Sequence, residues 1–217
     1  MARKTYLQLV NAVLTKLRED EVLTVSATTY SSLIGILINE AKREVEDSYA
    51  WNALKDTITF TTTASGFSYS LTGSGQRFSV IDAYNQTSQT QIHSIPTKNM
   101  NNMIITSNQQ GEPVWYNFNG SDVNGDTQVD VYPIPNGPYQ LYFNLIIPQS
   151  DLSVDTTGIF VPDEPVVLNA YARAVVERGE DGGILSGEAY ALYKRSLANH
   201  IALDQSRQPD ETLWVPV

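Results

Sequence analysis

The sequence predicts an α+β protein: both chain ends build one helical bundle, and an antiparallel β subdomain is inserted between them. Three observations point there. Apolar residues recur every three or four positions near both ends of the 217-residue chain. That period falls to two through the middle, and turn-forming dipeptides punctuate the middle stretch. The order is two helices, a run of strands and two helices, which packs most simply as a bundle carrying an insert. The boundaries follow as residues 1–55 and 149–205 for the helical domain, 56–148 for the β subdomain and 206–217 for a C-terminal tail.

Each element has a local reason. Leu7, Val10, Leu14 and Leu17, widened by Leu9 and Val13, make one apolar helix face, with Thr5 and Gln8 spaced as a capping box and Arg18–Glu21 closing it. Tyr30, Leu33, Ile34, Leu37, Ala41, Val45 and Tyr49 trace the stripe of a second helix capped by Thr28 or Thr29. Its first half reads as buried, and its charged second half, with Glu40, Lys42, Arg43, Glu44, Glu46 and Asp47, as partly exposed. Gly35 costs that helix about 1 kcal/mol of propensity and marks either a close helix contact or a tolerated glycine.

Ile58 and Phe60 then alternate with threonines, and Phe67, Tyr69 and Leu71 with serines, as in half-buried strands. Gly73-Ser74-Gly75 turns the chain into a strand over Phe78–Tyr84. Weaker strands follow around Gln91–Ile95 and Val114–Phe118, with a short helix over Thr97–Ile105 between them. Asn124-Gly125 is a hairpin turn, Val129 and Val131 continue the sheet until Pro133 and Pro135, and Asn136-Gly137 leads to a last strand over Tyr139–Ile147. Pro162-Asp163-Glu164-Pro165 opens a helix with carboxylates where its dipole favours them. That helix packs through Val167, Leu168, Tyr171, Ala174 and Val175 and ends at Gly179. A final helix over Ser186–Gln205 is patterned by Tyr190, Leu192, Tyr193, Leu197 and Ile201.

Composition narrows function. Lys and Arg number 14 against 24 Asp and Glu, a formal charge of -10, so a basic nucleic-acid-binding surface is not expected. The chain has no cysteine, which removes disulfides, thiolate nucleophiles and Cys-ligated metals. The start, Met1–Tyr6, lacks the apolar run of a signal peptide, and no window reaches the ~18–20 apolar residues of a membrane span. The expectation is a soluble protein made in the cytoplasm and without contact to a membrane.

The residues offer little catalysis. The two histidines, His93 and His200, lack metalloprotease spacing, and no nucleophile elbow or phosphate loop is present. Asp122-Val123-Asn124-Gly125-Asp126 resembles the start of a calcium loop, but Thr127 and Pro133 stand where that loop needs Gly and Glu. An Asn-Gly turn with solvated carboxylates explains it better, leaving at most a weak cation site. Glu40, Glu44 and Asp47 share a helix side and read as a solvated or interface face. No enzyme, cofactor or resident metal is expected, and a hydrolase is disfavoured by the missing nucleophile–base pair.

Taken together, the two N-terminal helices leading to Tyr49-Ala50-Trp51-Asn52, the Thr-rich strand, the all-β middle, Val161-Pro162-Asp163-Glu164-Pro165, Tyr171-Ala172-Arg173-Ala174 and the last helix are similar to the head-to-tail adaptor proteins of short-tailed bacteriophages, also called tail tubular protein A or gatekeeper. The resemblance implies a structural virion protein at the head–tail junction, made in the host cytoplasm. It implies a homo-oligomeric, dodecameric ring that joins the portal protein to the tail nozzle protein and extends a channel through which DNA passes without specific binding. On that basis Arg207, Leu213, Trp214, Val215 and Val217 are assigned to the portal interface, the alternative being a tail folded back on its own subunit, and Ser74, Gln76, Asn124 and Asp126 are assigned to the nozzle interface. The mixed-charge faces of Arg3–Glu21 and Thr28–Tyr49 are assigned to ring contacts. The alternative is a β-rich receptor- or carbohydrate-binding tail module, with Trp115, Tyr116, Phe118, Tyr139 and Tyr142 as stacking groups.

Overall fold

The computed structural model describes residues 3–179 and 184–207. Its elements are α1 (Tyr6–Lys16), α2 (Thr29–Asp47), a 3-10 turn (Asn52–Leu54), β1 (Lys55–Thr61), β2 (Ser68–Ser70), β3 (Ser79–Asn85), β4 (Thr90–Gln91), β5 (His93–Ser94), α3 (Thr97–Ser107), β6 (Gln110–Gly111), β7 (Trp115–Ser121), β8 (Thr127–Tyr132), β9 (Ile134–Pro135), β10 (Gln140–Ile146), α4 (Asp163–Arg178) and α5 (Ile184–Gln205). The protein is α+β, with helices at both ends flanking a β-rich middle. The chain divides into two compact units, residues 1–54 with 148–217 and residues 55–147.

In the helical unit, α1 begins on the Thr5–Gln8 capping box. Its first N–H groups also find partners far along the chain: Tyr6 N donates to Thr157 O at 2.9 Å and Leu7 N to Asp155 O at 3.1 Å. The segment returning from the strands thus satisfies donors that a helix end would otherwise leave open. The buried face of α1 is Tyr6, Leu9, Val10, Val13 and Leu14, rotated by roughly 50° from the line of Leu7, Val10, Leu14 and Leu17, so that Leu7 and Leu17 are only half-buried. Thr28 caps α2 and pairs reciprocally with Ser31. Gly35 is a close-contact position: a Cβ there would meet Tyr6 Oη and lie 2.9 Å from Val25 Cγ1.

The charged half of α2 is not an outer face throughout. Lys42 and Glu46 are fully buried and joined by a 3.0 Å ion pair, because they continue the inward stripe of Ile34, Ile38, Ala41 and Val45. The pair closes on the main chain of one residue: Lys42 Nζ donates to Gln149 O at 2.6 Å, and Gln149 N donates to Glu46 Oε1 at 3.2 Å. Gln149 then hands its own side chain on, donating to Gly158 O at 2.9 Å and accepting from Phe160 N at 3.1 Å. One turn earlier, the Asn39 amide pairs both ways with the Leu152 backbone, at 3.0 and 2.8 Å. Arg43 pairs with Asp151 beside it.

α4 packs on α1, α2 and α5, so its burial is wider than one stripe and includes Val166, Asn169, Ala170 and Ala172. Leu168 and Tyr171 are only half-buried. Gly179 ends the helix at φ +65°, donating to Val175 O and Val176 O. α5 departs further from its sequence pattern. Ser186, Ala189, Tyr193, Ser196 and Leu197 face inward, whereas Tyr190, Leu192 and Leu203 are exposed.

The β unit has two four-stranded sheets, ordered β1-β10-β3-β4 and β2-β8-β7-β5, and a short pair, β6-β9. Most pairings are antiparallel, but β5–β7 and β6–β9 are parallel. Leu71, Ala83, Ile92, Tyr116, Val129, Val131, Leu141, Phe143 and Leu145 form its core. Tyr116 meets Phe143 edge-on at 5.1 Å, and Phe60 stacks on Tyr69 at 5.0 Å. Full burial of each such side chain is worth about 1.5–3 kcal/mol. The second sheet's other face, with Asn117 and Asp130 buried, is covered by α3, which packs on β7 and β8 and buries Met100.

Two outcomes check this packing. Gly35→Ala is expected to destabilise by about 1–3 kcal/mol, the cost of overpacking, although alanine is the better helix former; urea unfolding would show it, with partial recovery when Tyr6→Phe removes the facing oxygen. Lys42→Met alone strands a buried carboxylate and is expected to cost about 3–5 kcal/mol, while Lys42→Met with Glu46→Leu costs distinctly less. Equal losses in the single and double variants would contradict the buried pair.

Candidate assembly surfaces

The acidic face of α2 is built into a polar cluster. Glu44 Oε2 accepts from Asn169 Nδ2 and from the Arg173 guanidinium, each at 2.8 Å, and Glu44 Oε1 accepts from Tyr193 Oη at 3.0 Å. Arg173 also pairs with Glu40 at 2.9 Å and donates to Asn169 Oδ1 at 3.1 Å. Burial would raise the Glu44 pKa, but the donors from Asn169, Arg173 and Tyr193 outweigh it and hold the carboxyl below its ordinary 4.5. Burial first, and then the neighbouring Glu44 carboxylate, push the Tyr193 phenol well above its ordinary range. Glu44 therefore fastens α2 to α4 and α5, while Glu40 pairs with Arg173 from an exposed position. Sequence reasoning missed this because Arg173, Asn169 and Tyr193 lie more than 120 residues away; the i,i+4 pair Asn169–Arg173 was the only local hint.

The turns singled out in the β subdomain come together. Asp122 Oδ1 accepts from Asn124 N at 2.8 Å and Asp126 N at 3.0 Å, and Asp122 Oδ2 accepts from Ser70 Oγ at 2.7 Å. The Ser70 hydroxyl is the largest cause holding the Asp122 carboxyl below its usual range; backbone donors add to it. Gly75 N donates to Asp126 Oδ1 at 3.0 Å, and Thr127 N to Ser74 Oγ at 3.2 Å. These carboxylates organise two adjoining turns, with Gly73, Gly75 and Gly125 all at positive φ. Ser74 is only 2% exposed, so it shapes the turn and cannot itself touch a partner. Gln76 and Asn124 are exposed and Asp126 is half-buried. Among the described residues, no group of three or more His, Asp or Glu is placed to hold a metal.

The remaining singled-out residues scatter. His93 is exposed and 5.8 Å from the Trp115 ring. His200 Nδ1 lies 2.8 Å from Ser196 O, and Nε2 lies 3.9 Å from Glu164. Asp204, its i+4 neighbour, accepts from Asn52 N at 3.0 Å. Tyr116 packs in the β core, Phe118 lies against it, and Trp115 points to the other side of the sheet. Tyr139 bonds Asn136 and Tyr142 pairs across to Tyr84. The five aromatics thus form no shared platform for a sugar. Arg207 is exposed and closes the last turn of α5, donating from N to Asp204 O at 3.1 Å. Leu213, Trp214, Val215 and Val217 lie outside the described residues.

What the helical unit does offer outward is apolar area on three helices: Ile36 of α2, Val176 of α4, and Leu192 and Leu203 of α5, each more than half exposed. No described helix is long and apolar enough to cross a membrane. Single exposed apolar side chains of this kind are ordinary on a protein surface. The family model described as SU10 adaptor protein matches residues 4–213, and the chain belongs to that family. It is a structural adaptor protein of a bacteriophage, from a family that is not a known enzyme class. No curated protein matches the chain.

The polar cluster gives a pH dependence with a definite sign. Because folding holds Glu44 below 4.5, the cluster favours the folded state at and above that pH, and its contribution is lost as acid protonates the carboxylate below it. Glu44→Gln is expected to be less stable than the parent at pH 7, with the gap narrowing as pH falls below about 4.5. Urea midpoints measured across that range check this, and a constant gap would contradict it.

Proposed function

We propose that this phage adaptor works as a closed homo-oligomeric ring, dodecameric by the resemblance noted above, between the portal and the tail nozzle, and that its lumen extends the channel for outgoing DNA. The observation that carries this reading is membership of the adaptor family, matched over residues 4–213; the exposed side chains of Ile36, Val176, Leu192 and Leu203 are available to such contacts. A ring needs heterologous contacts that close on themselves. The exposed sides of α1 and α2, together with the outer face of α5, supply them. Apolar side chains such as Leu192 and Leu203 then lose water on assembly, while the acidic excess of -10 keeps the surface from holding a passing duplex.

The 207–217 segment is assigned to the portal, with Trp214 as anchor beside Leu213, Val215 and Val217, and Arg207 at its base. Large aromatics dominate such contacts. The adjoining turns of the β unit are assigned to the nozzle through Gln76, Asn124 and Asp126, with Ser74 and Asp122 holding their shape. Synthesis is placed in the host cytoplasm and the assembled protein at the head–tail junction.

Truncation after Ser206 is expected to leave a folded protein, by circular dichroism and urea midpoint, that no longer joins the portal. Mixing each purified chain with the portal and imaging by negative stain reads the result: rings capping the portal with the full chain, bare portals with the truncated one. Equal ring assembly by both chains would remove the segment from the interface, and the absence of any ring would defeat the reading as a whole.

A further inference from the structure

A second feature of the helical unit lies where α5 ends. Arg3, Trp51, Ala53, Ile159, Phe160, Val161, Leu203 and Arg207 are among the residues lining a cavity of about 290 Å³. That is at the small end for a ligand pocket and of a size to take one large side chain. Its floor is apolar and closed, with Trp51, Ile159 and Val161 buried. Its rim is apolar and open, with Phe160 43% and Leu203 57% exposed. The cations Arg3 and Arg207 stand at the same rim, the former over the Phe160 ring at 5.1 Å. Two acids that line it are already engaged: Asp163 pairs with Lys4 at 2.8 Å and Asp204 accepts from Asn52 N.

Arg207, at this rim, is the last described residue. Beyond Arg207 come Gln208, Pro209, Asp210, Glu211, Thr212, Leu213, Trp214, Val215, Pro216 and Val217. Proline at 209 lacks the N–H that a further turn of α5 would use. Trp214 is seven residues on, a reach of up to about 25 Å at full extension, so the cavity is well within its range. The chemistry matches in order: two carboxylates come first, where Arg3 and Arg207 stand, and then an apolar run that suits Phe160, Leu203 and the floor. The competing groove is lined by Ala172, Arg173, Val176, Gly187 and Tyr190. Tyr190 is seventeen residues back along α5 from Arg207, about 26 Å by helical rise, at the limit of the same reach.

We propose that in the free subunit the 208–217 segment of the chain folds back over this cavity, which takes the single Trp214 side chain over Trp51, Phe160 and Leu203, and that the segment leaves the cavity to engage a partner. The parked state covers an apolar run before assembly, and it makes the partner compete with the subunit for the same anchor. Only the identity of the partner rests on the portal reading given above; the parking stands by itself.

The absence of native cysteine makes the test direct. In the full chain, Ala53→Cys at the exposed lip is combined with Val215→Cys and the purified monomer is oxidised. A second protein combines Tyr190→Cys with Val215→Cys. The expected result is an intramolecular disulfide in more than half of the first protein and in under a tenth of the second, read by intact mass and non-reducing electrophoresis. Adding Leu203→Asp to the first protein is expected to lower the yield at least tenfold. No disulfide in the first protein, disulfides only between copies, an equal yield in the second, or no loss with Leu203→Asp would each overturn the parking. Adding portal before oxidation separates the two readings: a fall in yield supports release to the portal. An unchanged yield with the disulfide still formed upholds parking and overturns the portal as the competitor.

Discussion

The helical unit depends on a charge pair that is out of water. Lys42 and Glu46 are fully buried, and removing two ions from solvent costs several kcal/mol each before their attraction returns any of it. Their added partner is decisive: the N–H and the carbonyl of Gln149 close the ring of hydrogen bonds. The pair can therefore be buried only when the returning chain is present, and that chain can enter at Gln149 only in one register. Asn39 repeats the device one turn away, pairing its amide with both backbone groups of Leu152. Asn11 does the same for Val22. Hydrophobic packing among α1, α2, α4 and α5 tolerates sliding far better than these directional contacts do, so polar groups set the alignment and apolar groups supply the bulk of the stability.

The same economy governs the surface. Lys4, Lys42, Arg43, Arg173 and Arg178 are each tied to a carboxylate within the unit. A chain with 14 cationic and 24 acidic residues then presents mostly negative charge and uncharged polar groups, between which the exposed side chains of α2, α4 and α5 stand out. Neutral polar strands with outward threonines, such as Thr57, Thr59 and Thr61 on β1, complete a molecule that is readily covered by neighbours and is a poor adhesive for phosphate.

Local chemistry was legible and distant chemistry was not. The capping box at Thr5, the threonine cap at the start of α2, the αL stop at Gly179, the Asn124-Gly125 turn and the alternation along β10 are each specified within a few residues. Sequence alone reveals them because propensity and geometry coincide there. The charged half of α2 is partly exposed as its sequence suggests, but which of its charges are buried depends on what approaches: Lys42 looks solvated until Gln149 is placed beside it, and Glu44 until Arg173 and Tyr193 arrive. Leu192 misled in the opposite sense, since an apolar residue at helical spacing need not face its own subunit. Ser74 reads as a turn residue on a surface loop, and it is one, but Thr127 closes over it. The adaptor class was legible from the order of elements, whereas the cavity beside Arg207 depends on side chains spread from Arg3 to Leu203 and has no signature along the chain.

A discontinuous unit also has a schedule. On the ribosome α2 is complete about a hundred residues before Gln149 is made. At ordinary synthesis rates that is a delay of roughly 5–20 s, long against the microseconds in which helices form. Nascent α1 and α2 must wait through that interval with Lys42 and Glu46 still wet and their apolar stripes uncovered; the β2-β8-β7-β5 sheet can pair within it, whereas β10, which joins β1 to β3, is finished only at Ile146, just before Gln149. The insert is thus positioned to act as a temporal spacer, and any pause in translation within it lengthens the time during which the half-made bundle is open to holdase chaperones.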